Sequence, residues 1–359
     1  MRSALSEYGY LSAKLKTRTS TLLDDDIILK LARARTVQEA FISLRGTAYE
    51  DLERVYAATG DLKAVEAELF AREAGAYSEL LPRLEGPTRA FIAALARRPE
   101  LDAVKDALRL WFDSHVRGRH IGDRTGYRFA GRVVDRLDFD AIVNAASPAE
   151  LALAFRGSAY GSIVAKHAQD TARLASLYAL ESALDAFYFS NLESSLAGLR
   201  PADRRLARRF VAFDADIQNL NSLVRSRLAA GPAADQLKRQ LIAFPGAVKT
   251  DALENALASD KPLDRASAMF HGSIRGLEAF WARADSRGRL GGLERFVRQA
   301  KTDEARALKG KNPFSIGVIL SYLELRCDEL RRLRSALNAA HYGLPEDRAR
   351  SLMRTVNII

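Results

Sequence analysis

Apolar residues along the chain recur at helical spacing. Phe213, Ile217, Leu220 and Val224 fall at i, i+4, i+7 and i+11 on one face of a helix, and Asp214, Gln218, Asn221 and Arg225 form a polar stripe beside them. The same phase returns in Leu323, Cys327 and Leu330, flanked by Glu324, Asp328 and Arg331. Val104, Leu108 and Trp111 give a looser version earlier on, shifted in register by one. The three predicted helices carry acidic residues at Asp106, Asp214 and Glu324, spaced by 108 and 110, and run toward Gly122, Gly231 and Gly343. One face of each packs, and the polar face beside it is left to meet something else.

A shorter element repeats as well. Residues 36–49, TVQEAFISLRGTAY, return as 147–160, SPAELALAFRGSAY, at a constant offset of 111, and a weaker third copy, AMFHGSI, occupies 268–274. Each copy predicts a short helix with defined ends. Thr36 with Glu39 and Ser147 with Glu150 have the spacing of capping boxes, Pro148 suits a first helical position, and Gly46 and Gly157 can turn left-handed after the last turn. A period near 110 exceeds that of the common helical solenoids, so the repeat predicts three similar helical domains about a pseudo-threefold axis, at 1–122, 123–231 and 232–359. Their boundaries fall near Gly122–Tyr127 and Gly231–Ala234, where Gly, Pro and Asp interrupt the helical pattern.

Composition agrees with an all-α fold. The 359 residues are 48% hydrophobic and 28% charged, and only 10 are proline and 8% aromatic, which favours helix over sheet. No apolar run reaches the ~18 residues of a membrane span, and the N-terminus lacks an apolar leader core. The chain is expected neither to cross a membrane nor to be exported. The single Cys327 excludes an internal disulfide. The 55 basic against 45 acidic residues give +10, which favours acidic proteins, anionic headgroups or nucleic acid as partners.

Catalytic chemistry is hard to find. There is no GxGxxG, GxxxxGK[ST] or HExxH pattern, and Gly288–Gly292 and Gly310–Asn312 read as loop and turn. Asp24, Asp25 and Asp26 read as the acidic first turn of a helix rather than a cation site. The five histidines form no ligand pair at helical spacing, and no cofactor is expected. Arginine is dense at Arg109, Arg117, Arg119, Arg124, Arg128, Arg132 and Arg136, and again at Arg204, Arg205, Arg208 and Arg209. These read as solvated faces interleaved with acids or as an anionic-partner surface, with no stacking platform for nucleic acid beside them.

Two segments carry a resemblance to a known family. Residues 8–18, YGYLSAKLKTR, followed by Leu22 and Leu23, resemble the opening of the C-type subunits (d-type in eukaryotes) of V/A-type rotary ATPases. Residues 312–326, NPFSIGVILSYLELR, continuing to Tyr342-Gly343-Leu344-Pro345, are similar to that family's most distinctive stretch, and Asp214-x4-Asn219-Leu220 resembles its middle copy. The resemblance implies a non-catalytic adaptor, a funnel of three helical domains that receives the central shaft (D- and F-type subunits) and rests on the proteolipid ring at the cytoplasmic face. The polar faces then supply the expected partner contacts: Asp214, Asn219, Arg225, Glu324, Arg331 and Arg117. The alternative is a basic helical scaffold that binds nucleic acid or acidic proteins.

Overall fold

The computed structural model describes residues 4–120, 134–228, 237–238 and 240–353, with the side chains of 4, 6, 225–228, 286–288, 290–291 and 309–311 left out. The predicted boundaries at Gly122–Tyr127 and Gly231–Ala234, together with Arg124, Arg128, Arg132 and the Arg225 side chain, lie outside the described residues. Among the described residues the fold is all-α, with no strand. The chain divides into two compact units, one of Met1–Ala76, Arg200–Ala207 and Gly292–Ile359, the other of Tyr77–Leu199 and Arg208–Gly291.

In the first unit a long N-terminal helix, α1 (Ala4–Ser20), is followed by α2 (Asp25–Arg33), α3 (Val37–Ser43) and α4 (Leu52–Thr59), and α5 (Leu62–Ser78) begins here. Their apolar faces close on a core of Ile28, Leu31, Phe41, Leu44, Leu52, Val65 and Leu69, completed from the C-terminal end of the chain by Leu330, Leu333, Leu337 and Met353. The second unit opens with α6 (Gly86–Leu95) and α7 (Arg97–Trp111). It continues through α8 (Phe139–Val143), α9 (Pro148–Ala154), α10 (Gly161–Arg173) and α11 (Tyr178–Leu196), and α12 (Pro201–Leu228) enters it after two turns. Three short helices follow: α13 (Thr250–Leu257), α14 (Pro262–Met269) and α15 (Leu277–Arg283). Then α16 (Ser286–Lys311), α17 (Gly317–His341) and α18 (Glu346–Met353) lead to the end of the described chain.

The short-helix modules form because their ends are specified locally. Thr36 Oγ1 accepts the Glu39 N–H at 3.2 Å, while Glu39 accepts the Arg35 N–H at 2.8 Å. Ser147 and Glu150 repeat both bonds at 3.2 and 3.0 Å, the latter from the Ala146 N–H. Gly46 and Gly157 follow at φ of 74° and 83°, as their positions predict. Thr47 and Ser158 then donate their hydroxyls to the carbonyls of Leu44 and Phe155, which closes the same turn twice. Asp24 caps α2 by accepting the Ile27 N–H at 2.8 Å, and Asp25 and Asp26 lie in its first turn.

Each cap stabilises its helix by ~1 kcal/mol, and a side chain other than glycine in the left-handed conformation costs ~1–2 kcal/mol. Ser147→Ala and Gly157→Ala are each expected to lower the unfolding free energy by those amounts, read from denaturant midpoints at unchanged m-value.

Candidate functional site

The geometry that recurs is a buried carboxylate on a long helix gripping the entry of a short-helix module. Glu329 on α17 accepts the Leu23 N–H at 2.6 Å and the Tyr49 hydroxyl at 2.7 Å. Glu100 on α7 accepts the Val134 and Asp135 N–H groups, each at 2.7 Å, and the Tyr160 hydroxyl at 2.9 Å. Asp216 on α12 accepts the Val248 N–H at 2.8 Å and a hydrogen bond from Ser273. Leu23, Val134 and Val248 each stand thirteen residues before the N-cap of the second short helix, Thr36, Ser147 or Lys261. The spacing identifies one clasp in three copies.

Two copies are ionic and one is not. Arg326 donates to Glu329 at 2.7 Å and to the Tyr49 hydroxyl at 2.5 Å, with its guanidinium 5.1 Å from that ring's centre. Arg97 stands at the matching place, 3.6 Å from Glu100 and 3.2 Å from Asp135, and Asp135 in turn accepts the Ala159 N–H. Burial, then the neighbouring carboxylate, pushes both phenols far above their ordinary pKa. In the third copy Phe213 replaces the arginine, and the carboxylate is one methylene shorter. Burial raises the Asp216 pKa, opposed by its two hydrogen bonds. The clasp carboxylates are therefore Glu100, Asp216 and Glu329, whereas the hydropathy phase selects Asp106, Asp214 and Glu324. Asp106 is exposed and pairs with Arg109, because acidic spacing alone does not separate a solvated face from a buried one.

The predicted contact residues fall in different surroundings. Asp214 is half-buried beside the Arg98 guanidinium, which also reaches Asp102 at 3.3 Å and Gln218 at 3.4 Å and lies over the Tyr188 ring. Arg98 on α7 thus meets Asp214 and Gln218 on α12. Asn219 is fully buried, and its amide exchanges two hydrogen bonds with the Ile242 main chain at 2.7 and 3.0 Å. Glu324 is buried against Lys301 at 2.9 Å. Arg331 is half-exposed, 3.7 Å from Asp328. Arg117 is exposed just beyond the π turn at Phe112–Val116, paired with Asp113 at 3.1 Å and lying over the Phe112 ring at 4.8 Å. Lys105 and Asp185, not singled out by the sequence, form a buried pair at 2.5 Å between α7 and α11.

Residues 11–352 match the family model described as ATP synthase (C/AC39) subunit. The chain belongs to that family. It is similar to the C-type subunit of the A-type ATP synthase of Desulfurococcus sp., 23% identical over 350 residues that span 96% of this chain and 90% of the relative. The protein of the same name from Pyrococcus horikoshii is 24% identical over 369 residues (96% and 88%). That from Haloferax volcanii is 24% identical over 349 (94% and 94%).

The two segments that carried the resemblance meet in the first unit. Asp203, buried near the start of α12, accepts the Tyr8 hydroxyl at 3.0 Å on one carboxylate oxygen and the Ile316 N–H at 2.9 Å on the other. Asp203 thus joins the N-terminal helix to the entry of α17. The tyrosines shared by both short repeats, Tyr49 and Tyr160, were the visible trace of the clasp. Nothing in their local sequence points to the carboxylate, 280 residues away for Tyr49.

Removing one member of a buried ion pair costs ~3–5 kcal/mol, whereas deleting a hydroxyl bonded to a charge costs ~1.5–3 kcal/mol. Glu329→Gln is therefore expected to destabilise more than Tyr49→Phe, measured by chemical unfolding. Asp216, like Glu100, is pushed up by burial and gives a pH signature of its own. Its folded pKa lies above the ordinary carboxylate value of 3.8, so its contribution is fully present below 3.8 and declines as pH rises through the folded value. Asp216→Asn is expected to flatten that decline, and unfolding midpoints taken from pH 3.5 upward check it.

Proposed function

We propose that this chain is the non-catalytic central-stalk component of a V/A-type rotary ATPase, coupling the rotor shaft to the membrane proteolipid ring. Membership of the ATP synthase (C/AC39) subunit family and near full-length similarity to the C-type subunits of A-type ATP synthases support this. The observation that carries it is the threefold clasp. A part that transmits torque must be stiff, and a buried carboxylate that ties three separate segments of chain holds packed helices with little room to shear.

The same clasps support a division into three similar helical domains forming a funnel. Each joins one short-helix module to one long helix: module two to α7, module three to α12 and module one to α17. The first module takes its long helix from the C-terminal end of the chain. Partner contacts are assigned to Asp214, Arg225, Arg331 and Arg117, while Asn219 and Glu324 act through the Ile242 segment and Lys301 that they hold. The shaft partners are D- and F-type subunits, and the work is done at the cytoplasmic face of the membrane. No helix among the described residues is long and apolar enough to cross a membrane.

Reconstitution with purified shaft proteins and with the detergent-solubilised ring tests the function. The expected result is one complex in which the chain bridges shaft and ring. A chain that binds neither, or that instead binds duplex DNA with a steep salt dependence, contradicts it.

A further inference from the structure

Module three lacks the devices that fix the other two. In modules one and two all four short helices are capped by a side-chain oxygen: Asp24 before α2, Thr36 before α3, Asp138 before α8 and Ser147 before α9. The matching positions before α13 and α14 are Lys249 and Lys261, and neither makes a side-chain cap. An ammonium has donors and no acceptor, so it leaves the first-turn N–H groups to water, and its charge opposes the helix dipole. Gly272, after α14, does not adopt the left-handed conformation of Gly46 and Gly157. The clasp itself has neither arginine nor tyrosine, only the Val248 N–H at 2.8 Å and Ser273. A strap of residues 241–249, outside regular helix, lies along α12 and leads into these two helices. Its main chain is held at Ile242 by Asn219, and its buried Phe244 meets the Phe189 ring edge-on at 6.1 Å.

We propose that the strap and the two short helices it leads into, residues 241–269, open from α12 as one cooperative element while modules one and two stay clasped. Contiguous segments with few end-fixing contacts open together and below the free energy of global unfolding. The helices α13 and α14 pack on each other, so loss of one strips the other. The far end of the element stays anchored, because Asp264 on α14 accepts the Trp281 indole N–H at 2.8 Å and Arg289 at 3.2 Å. That anchor keeps the opened segment near its seat and makes reclosure a local event. Opening uncovers Asp216 and Asn219 on α12, both fully buried while the strap is down. The device thus hides or presents these two polar groups together, without dismantling the clasps of the other modules.

Amide hydrogen exchange of the full chain, read at residue resolution in buffer and in low denaturant, tests the proposal. Ile242, Val248 and the interior amides of α13 and α14 are expected to exchange through one shared opening, slower than an open loop yet with at least about tenfold less protection than Leu23 and Val134. A smaller gap overturns the proposal, and so does exchange of the strap independent of the two helices. Lys249→Asp combined with Lys261→Ser supplies the two missing caps at exposed positions. It is expected to raise the protection of the whole element about tenfold and to leave Leu23 and Val134 unchanged. Circular dichroism establishes that the variant is folded, and Lys249→Asp alone replaces it if it is not. A folded capped variant that gains no protection in module three, or gains it equally in all three modules, overturns the cooperative element.

Discussion

A carboxylate buried in an apolar helix bundle is costly unless donors surround it. In this chain that cost is met three times by the main-chain N–H of the segment entering a module and by a hydroxyl from its closing turn, a tyrosine's in two copies and Ser273's in the third. The rest of the fold follows from this constraint. The entering segment and the closing turn must reach the same point on a long helix, which sets the path of the two short helices between them. The caps and left-handed glycines then fix where those helices start and stop. Where an arginine joins, as at Arg326 and Arg97, the clasp becomes a charged network. Where Phe213 stands instead, the matching position brings no charge, and burial raises the Asp216 pKa as it raises that of Glu100.

Capping boxes, the glycines after them and the acidic first turn of α2 were legible because each is a contact within four residues. The all-helical class was legible from periodicity and composition. The clasps were not, because Glu329 meets Leu23 across 306 positions and carries no local mark of burial. Asn219 shows the same limit. It sits in the motif that resembles the family's middle copy, and its amide is taken up by the Ile242 main chain rather than presented at a surface. Two tyrosines identical across the first two repeats were the available signal, and they mark the turn without naming its acceptor.

The charge excess resolves into two kinds of arginine. Arg109 meets Glu181 and Asp106, and Arg117 meets Asp113, so these two members of the dense first cluster are interleaved with acids. Exposed pairs of this kind contribute little to stability. Arg298 and Arg331 on α16 and α17 are more sheltered, with Glu294 and Asp328 at 3.4 and 3.7 Å.

Amide hydrogen exchange at Leu23, Val134, Asp135 and Val248 tests the threefold clasp most directly. These N–H groups lie outside regular helices, so their protection depends on the carboxylates alone. Slow exchange at all four, with Leu23 alone released in a folded Glu329→Gln variant, is the expected result. Exchange at loop rates in the native chain would contradict the clasp as the element that holds the modules to their long helices.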